Sequence, residues 1–216
     1  MGLRIELVEI LENRQVGLGD RCCIDLIGRF SATEGLLVGM SSKGYFMVYN
    51  ERKGSLFSSP RPFRVNAGPV SAYTLVPGNG KGYMTKYLSE LYSGDKVLVF
   101  DCKGHEEKIK IGKNTREVEV GRNKIETRPL LFIRAKSKTL SERSAMKKLR
   151  GMAKGQDELQ IFLQNAETIS LVNDKKKPIR ASQVEPGDRV LACVANPHPM
   201  GRHFGMAITH EFILER

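Results

Sequence analysis

Two arginines lie in a segment that proline residues stiffen, and together they suit the binding of an anion. Arg61 and Arg64 follow Pro60, and Pro62 stands between them. Each proline fixes its own φ angle and restricts the residue before it, so the guanidinium groups have few orientations. A guanidinium fork held in this way binds carboxylate or phosphate. The segment, with Asn66 at the turn that follows, predicts a ligand-binding loop; a purely structural loop is the alternative.

A short polar segment, Gln164–Thr168, lies between two apolar stretches, Leu159–Leu163 and Ile169–Val172, whose composition indicates strands. Polar side chains between buried strands must be partly buried or line a cleft. Glu167 carries the proton-accepting group of this segment, and we predict that it is a general base. Asn165 beside it is a candidate for substrate contact. The alternative is an edge-strand carboxylate bonded to the backbone or to an arginine.

A third segment, Gly201–Gly205, places a cation and an imidazole between two glycines. His203 titrates near neutral pH and can move protons, and Arg202 can bind an anion. A histidine that only satisfies a turn is the alternative. The spacing of the neighbouring candidates matches no zinc motif. Those zinc candidates are Cys193, His198, His203 and His210. A divalent metal held by Glu167 and His203 stays open as a further alternative.

The composition agrees with an anionic ligand. The chain has 216 residues and a formal net charge of +11. Residues 134–158 alone hold eight Lys or Arg against three Asp or Glu. Aromatic residues make up 7% of the chain and do not interleave with the basic ones, so nucleic-acid binding is the less favoured partner class. No apolar run is long enough to cross a bilayer as a helix, and no membrane association is expected.

Four cysteines stand at positions 22, 23, 102 and 193, with no Cys-x-x-Cys pair. We expect reduced, buried thiols in a reducing compartment. The sequence has no Gly-x-Gly-x-x-Gly that opens a helix and no phosphate loop, so it identifies no cofactor-binding residue.

Many short apolar stretches with turn residues between them predict a mainly β fold, built from short-stranded barrel or sandwich units. Gly35–Met40 and Tyr45–Tyr49 predict a hairpin in which Gly44 takes a positive φ. Arg4–Glu12 and Arg21–Ile27 predict two separate strands. The alternating stretch Phe204–Glu215 predicts a last strand.

One helix is predicted inside the basic segment. Thr139–Glu142 resembles a capping box, and apolar residues then recur at helical spacing. We therefore divide the chain into a first β domain (1–136), a basic helical insertion (137–158) and a C-terminal β unit that completes the barrel (159–216).

A weak internal repeat suggests duplication. Gly-Asp followed by a basic residue occurs at Gly19, Gly94 and Gly187, in each case before a predicted strand. Glycine permits the tight bend, and the aspartate accepts hydrogen bonds from the turn. Two or three similar β units are expected.

Several uncommon sequence motifs, in one order along the chain, indicate similarity to a known family. It resembles the archaeal-type 3-dehydroquinate synthases, or dehydroquinate synthase II, over nearly its whole length. The resemblance covers the C-terminal portion of that family, which has a further N-terminal region. The matching words are Gly35–Gly44, Arg61–Gly68, Lys86–Leu91, Lys124–Leu131, Leu163–Thr168 and Gly201–Met206.

The resemblance implies an NAD-dependent oxidoreductase of aromatic biosynthesis. A 2-amino-3,7-dideoxy-hept-6-ulosonate is oxidatively deaminated, and the resulting diketo acid closes to 3-dehydroquinate. The chemistry needs an anion-binding residue, two proton acceptors and a group that stabilises an alkoxide. The catalytic candidates are Glu167, His203 and Lys124, and the substrate-binding candidates are Arg61, Arg64, Asn66, Asn165 and Arg202.

Two other functions stay open. One is a β-barrel binding module derived from this enzyme and catalytically incomplete. The other is a basic nucleic-acid-binding protein. A homo-oligomer or an assembly with a separate N-terminal half are the expected protein partners, and a cytoplasmic location is expected, with a plastid as the alternative.

Overall fold

The computed structural model describes residues 3–41, 44–78, 82–103, 108–109, 113–149, 158–195, 202–203 and 206–207. Strands dominate these residues, which confirms the mainly β prediction. The strands are β1 (Leu3–Leu26), β2 (Glu34–Ser41), β3 (Gly44–Tyr49), β4 (Arg64–Pro69), β5 (Tyr73–Pro77), β6 (Tyr83–Tyr87), β7 (Lys96–Asp101), β8 (Lys108–Ile109), β9 (Thr115–Lys136), β10 (Glu158–Gln164), β11 (Ser170–Val172), β12 (Pro178–Arg180), β13 (Arg189–Ala195), β14 (Arg202–His203) and β15 (Met206–Ala207). The α-helix is α1 (Lys138–Leu149), and short 3₁₀ helices span Leu88–Glu90 and Ala181–Gln183.

Six antiparallel strands close into a ring, so the fold is a barrel. The order around the ring is β3, β13, β1, β9, β7 and β2, and pairing of β2 with β3 closes it. Closure pairs the polar backbone groups of every ring strand with a neighbour on each side. Outside the ring, β4 pairs with β1, β10 with β9, β5 with β2, and β11 with β3.

The first strand is longer than the sequence predicts. Arg4–Glu12 and all of Arg21–Ile27 except Ile27 belong to one strand of 24 residues, so the prediction of two strands was wrong. Bulges in the pairing of β1 with β9, including one between Gln15 and Gly17, bend this strand. A bulge turns a strand without ending it, and Gly17 permits this one with φ of 104°. One half of β1 thereby pairs with β13 and the other half with β4.

The two later Gly-Asp turns are built alike. Gly94 and Gly187 have φ angles of 93° and 95°. The backbone N–H of Tyr92 donates to Asp95 Oδ2 over 2.9 Å, and the N–H of Glu185 donates to Asp188 Oδ2 over 2.8 Å. Each turn leads into a ring strand, β7 or β13. The third copy, Gly19-Asp20, is not such a turn, because it lies within β1.

Two asparagines extend this likeness. Asn123 Nδ2 donates to the carbonyls of Leu88 and Leu91, over 2.7 and 3.0 Å. Asn13 Nδ2 donates to the carbonyls of Ala181 and Val184, over 2.8 and 2.7 Å. Each asparagine lies on a long strand and holds the 3₁₀ helix that precedes a Gly-Asp turn. The ring therefore consists of two similar units, in which β1 corresponds to β9, β13 to β7, and β3 to β2.

Two local details differ from the sequence prediction. The helix is capped by Ser137, whose Oγ accepts a hydrogen bond from the N–H of Leu140 over 3.0 Å, and Thr139 lies inside the first turn. The predicted hairpin of β2 and β3 is confirmed, but Gly44 does not adopt a positive φ. A Cβ at this position would overlap the end of the Leu159 side chain, so a larger residue would need that side chain to move.

The division into domains stays a prediction. Strands from residues 1–136 and from residues 159–216 belong to the same ring. Most of the predicted last strand, Phe204–Glu215, lies outside the described residues. All four cysteines are free and buried, as predicted. None of the helices described is long and apolar enough to span a membrane.

Candidate functional site

A cleft of about 410 Å³ gathers most of the predicted site residues. It lies where β4 packs beside β1 and where the loop after β10 approaches both. Side chains two residues apart on a strand share a face, so each strand supplies several polar groups to the cleft. Five predicted residues, from three separate parts of the chain, line it: Arg61, Arg64, Asn66, Lys124 and Glu167.

Arg21 is the most deeply buried cation of the cleft, and sequence reasoning missed it. Its side chain is 7% exposed. Nε donates to Gln164 Oε1 over 2.8 Å, and Nη2 donates to Glu126 Oε2 over 2.6 Å. Nη1 is buried and has no hydrogen-bond partner among the described residues. An unpaired buried donor costs about 1–3 kcal/mol, which a ligand can recover.

Asn66 is held against the same glutamine. Asn66 Nδ2 donates to Gln164 Oε1 over 2.6 Å, and the residue is 4% exposed. Its Oδ1 is buried without a hydrogen-bond partner in the described part of the chain. Among the described residues, the cleft therefore contains one unpaired donor, on Arg21, and two unpaired acceptors, Oδ1 of Asn66 and Oε2 of Glu51.

Glu51 is a buried carboxylate that follows β3. It is 4% exposed, and burial raises its pKa above the ordinary value, against the opposing effect of Arg64, Arg61 and the Thr168 side chain. Arg61 Nη1 lies 3.6 Å from Glu51 Oε2, too far for a hydrogen bond. A raised pKa suits a carboxyl group to proton transfer near neutral pH.

Arg64 is fixed by an ion pair at the edge of the cleft. Its Nε and Nη2 donate to the two carboxylate oxygens of Asp25 over 2.6 and 2.8 Å. Arg122 Nη2 also donates to Asp25, over 2.9 Å. Burial would raise the pKa of Asp25, but these arginines outweigh it, and the pKa lies below its ordinary value. The fork of Arg64 is thus occupied, whereas Arg61, with a side chain 42% exposed, is freer to meet a ligand.

Lys124 belongs to a group of cations around one carboxylate on β9. Its Nζ lies 2.6 Å from Glu126 Oε1, and Arg128 Nη2 lies 3.2 Å from the same oxygen. The hydrogen bond from Lys124, with the nearby positive charges, lowers the pKa of Glu126. With Arg21 included, three cations share this one negative charge, so the wall stays electropositive.

Glu167 and the three predicted residues that do not line this cleft have different surroundings. Glu167 is exposed at the boundary with a second cleft of about 610 Å³, which shares Glu51 and Thr168 with the first. Asn165 is exposed and does not line either cleft. Arg202 and His203 form β14, but the placement of their side chains lies outside what the structure describes. Their roles stay predictions.

Sequence signals existed for some residues that were missed. Arg21 opens an otherwise apolar run, and Glu51 ends one, so a charged group stands at a buried boundary in both cases. The contact of Arg21 with Gln164 joins residues 143 positions apart and has no local signal.

The cleft residues do not form a metal site by themselves. Within the described ranges, no three His, Cys, Asp or Glu side chains come together as metal ligands. Cys23 borders the cleft, and burial raises its pKa to about 11, so it remains a thiol. A divalent metal on Glu167 and His203 stays a prediction.

The chain matches known proteins over its length. The family described as the 3-dehydroquinate synthase II C-terminal domain matches residues 7–216. A 3-dehydroquinate synthase of Methanopyrus kandleri is 43% identical over 215 residues, which is 99% of this chain and 46% of the relative. The corresponding protein of Methanocaldococcus jannaschii is 43% identical over 98% of this chain and 49% of its own length. That of Cenarchaeum symbiosum is 40% identical, over 99% and 54%.

The chain thus spans about half the length of these relatives. Comparison with solved structures gives no significant match.

Proposed function

Because this chain belongs to the family of the 3-dehydroquinate synthase II C-terminal domain, we propose that it supplies the substrate-binding cleft of a 3-dehydroquinate synthase. The enzyme would act in aromatic amino acid and chorismate biosynthesis, the shikimate route. It would convert a 2-amino-3,7-dideoxy-hept-6-ulosonate to 3-dehydroquinate. The observation that carries the proposal is the buried, incompletely bonded Arg21 in an electropositive cleft with the predicted residues around it.

The arginines hold the substrate carboxylate. Arg21 offers a buried N–H, and Arg61, on the loop before β4, offers a guanidinium whose side chain is 42% exposed. Arg64 contributes positive charge while Asp25 fixes its orientation. Arg202 and Asn165 remain additional substrate contacts in this proposal.

The reaction requires two proton acceptors. The first takes a proton as the amine is oxidised, and the second takes a proton from the methyl ketone before ring closure. Glu167 and His203 keep these roles in the proposal. Glu51 is a further candidate, because its buried carboxyl group lines both clefts and has a raised pKa.

Ring closure develops negative charge on the oxygen that becomes the tertiary hydroxyl of the product. Lys124 lies in the cleft with a side chain 51% exposed, so its ammonium group can move toward that oxygen. Arg202 is the alternative donor.

The second cleft suits the cofactor that the family implies. Its walls carry Lys53 and Arg180, with the polar side chains of Asn50, Ser170 and Asn173 beside them. Cations and small polar groups fit the phosphates and ribose hydroxyls of NAD. Bound NAD supplies a hydride acceptor for the carbon that carries the amine. The four free, buried cysteines fit a reducing, cytoplasmic compartment.

A binding measurement tests the proposal. Isothermal titration calorimetry of this chain with 3-dehydroquinate should detect binding, and Arg21→Gln should weaken it about tenfold to a hundredfold, because a charge-assisted hydrogen bond is lost. Arg14→Gln is the matched control: it removes the same charge from β1, but its side chain is 59% exposed and does not line the cleft. Equal weakening by the two variants would contradict the proposal.

Turnover separates the enzyme from the binding module. NADH formation from the amino sugar acid is measured with this chain alone and mixed with the N-terminal half of the Methanocaldococcus jannaschii relative. Glu167→Gln and His203→Asn should abolish it without unfolding the protein. Retained binding with no turnover in either mixture would favour the catalytically incomplete module.

A further inference from the structure

The polar groups at the floor of the cleft have one consistent hydrogen-bond orientation. An arginine can only donate, so the Gln164 atom that contacts Arg21 Nε must be the amide oxygen. That same oxygen lies 2.6 Å from Asn66, which must therefore turn its NH₂ group toward it. The orientation of Arg21 thus sets the orientation of Asn66, and the carbonyl oxygen of Asn66 is left without a hydrogen-bond partner among the described residues, as Oε2 of Glu51 is.

The floor consequently offers a donor and an acceptor on two residues that share one hydrogen-bond partner, Gln164. Arg21 Nη1 donates, Asn66 Oδ1 accepts, and both are held by hydrogen bonds to one glutamine oxygen. Arg21 and Asn66 are 5% and 4% exposed, so their unpaired atoms have little contact with bulk water. A bare carboxylate would satisfy the donor and leave the acceptor unpaired.

We propose that Asn66 is a specificity-determining residue, which recognises a hydrogen-bond donor on the carbon next to the substrate carboxylate. The pair of Arg21 and Asn66 then selects α-amino and α-hydroxy carboxylates over carboxylates without that donor. The inference rests on the proposed function: the amino sugar acid carries an amine at this carbon, and 3-dehydroquinate carries a hydroxyl there.

A pair of ligands tests this. 3-Dehydroshikimate has the same ring carboxylate as 3-dehydroquinate but lacks the neighbouring hydroxyl, which its double bond replaces. Calorimetry of the wild-type chain should give an affinity for 3-dehydroquinate about tenfold higher than for 3-dehydroshikimate. In Asn66→Ala the ratio of the two affinities should fall to a value between about 1 and about 3, because the hydrogen-bond acceptor has been removed.

Asn13→Ala is the control, because it removes two hydrogen bonds from an asparagine that does not line the cleft. It should keep the wild-type ratio even where it lowers stability. Equal wild-type affinities for the two ligands, or an unchanged ratio in Asn66→Ala, would overturn the inference while leaving the proposed function in place. Binding of neither ligand by the wild-type chain would overturn the proposed function, and this inference with it.

Discussion

Replacement of Asp25 by asparagine should strongly destabilise this protein. Asp25 and Arg64 are 11% and 14% exposed, and two hydrogen bonds of 2.6 and 2.8 Å join them. Loss of one partner leaves the other charge buried without its counter-ion, which costs about 3–5 kcal/mol. Because Arg64 keeps some contact with water, we expect about 3 kcal/mol from Asp25→Asn, or a melting temperature lower by about 6–12 °C.

The second arginine on Asp25 should matter much less. The side chain of Arg122 is 60% exposed, although it also donates to Asp25 Oδ2. Arg122→Gln should cost less than about 1 kcal/mol, because Arg122 lies mostly in water and Asp25 keeps its two hydrogen bonds to Arg64.

The effect of Asp25 also depends on pH. Its pKa in the folded protein lies below the ordinary value of 3.8, so the unfolded chain binds the proton more tightly. The stability from this group is complete above the unfolded pKa and is lost as the pH falls through the folded pKa. Asp25→Asn should remove this part of the acid destabilisation, and the gap between variant and wild type should narrow as the pH falls below about 4.

Urea unfolding, followed by circular dichroism at neutral and acid pH, measures both quantities. Asp20→Asn on the same strand is the control, since Asp20 forms an exposed hydrogen bond with Thr127. A cost below 1 kcal/mol for Asp25→Asn, or an equal cost for Arg122→Gln, would refute this reasoning.

Three further predictions concern the ring and the cleft. Asn13→Ala and Asn123→Ala should each lower the free energy of unfolding by about 1–3 kcal/mol in urea titrations, since each removes two hydrogen bonds to backbone carbonyls. A loss of stability in only one of the two variants would contradict the division of the ring into two similar units. Gly39→Ala should reduce soluble yield and stability, because its Cβ would collide with the carbonyl oxygen of Gly44. Gly121→Ala should be milder, because the nearest atom to its Cβ belongs to the Ile27 side chain and the backbone atoms lie at ordinary contact distance. Glu51→Gln should raise the melting temperature at neutral pH by about 2–4 °C while slowing turnover. Burial raises the pKa of Glu51, so its charged form lowers the stability of the folded protein as the pH rises above the unfolded pKa. An unchanged melting temperature of Glu51→Gln at neutral pH would contradict this prediction.

The outcome for individual segments shows which signals in the sequence were reliable. The hairpin of β2 and β3 was predictable, because two apolar stretches flank a polar turn. The Gly-Asp turns before β7 and β13 were predictable for a similar local reason, since glycine permits their positive φ angles. The same Gly-Asp motif at Gly19 gave a wrong prediction, because pairing with β9 keeps that residue within strand β1.

The candidate site was predictable only in part. Arg61, Arg64, Asn66 and Glu167 stand in unusual polar segments, and the structure gathers them in one cleft. The contributions of Arg21 and Glu51 were missed, because a charged residue at the end of a strand is ordinarily solvated. Their burial results from packing of distant segments against them.

By itself the sequence determined the β class, the positions of turns, the polar segments and the family likeness, because these depend on composition and on neighbours along the chain. Closure of the six-strand ring and the pairing of β1 with β13 were decided by the tertiary structure. The tertiary structure also decided which buried arginine keeps an N–H group without a partner in the described part of the chain. Asp25 occupies the fork of Arg64, whereas Gln164 and Glu126 bind Nε and Nη2 of Arg21 and leave Nη1. These outcomes depend on hydrogen bonds and packing between residues far apart in the chain, and local sequence patterns do not determine such contacts.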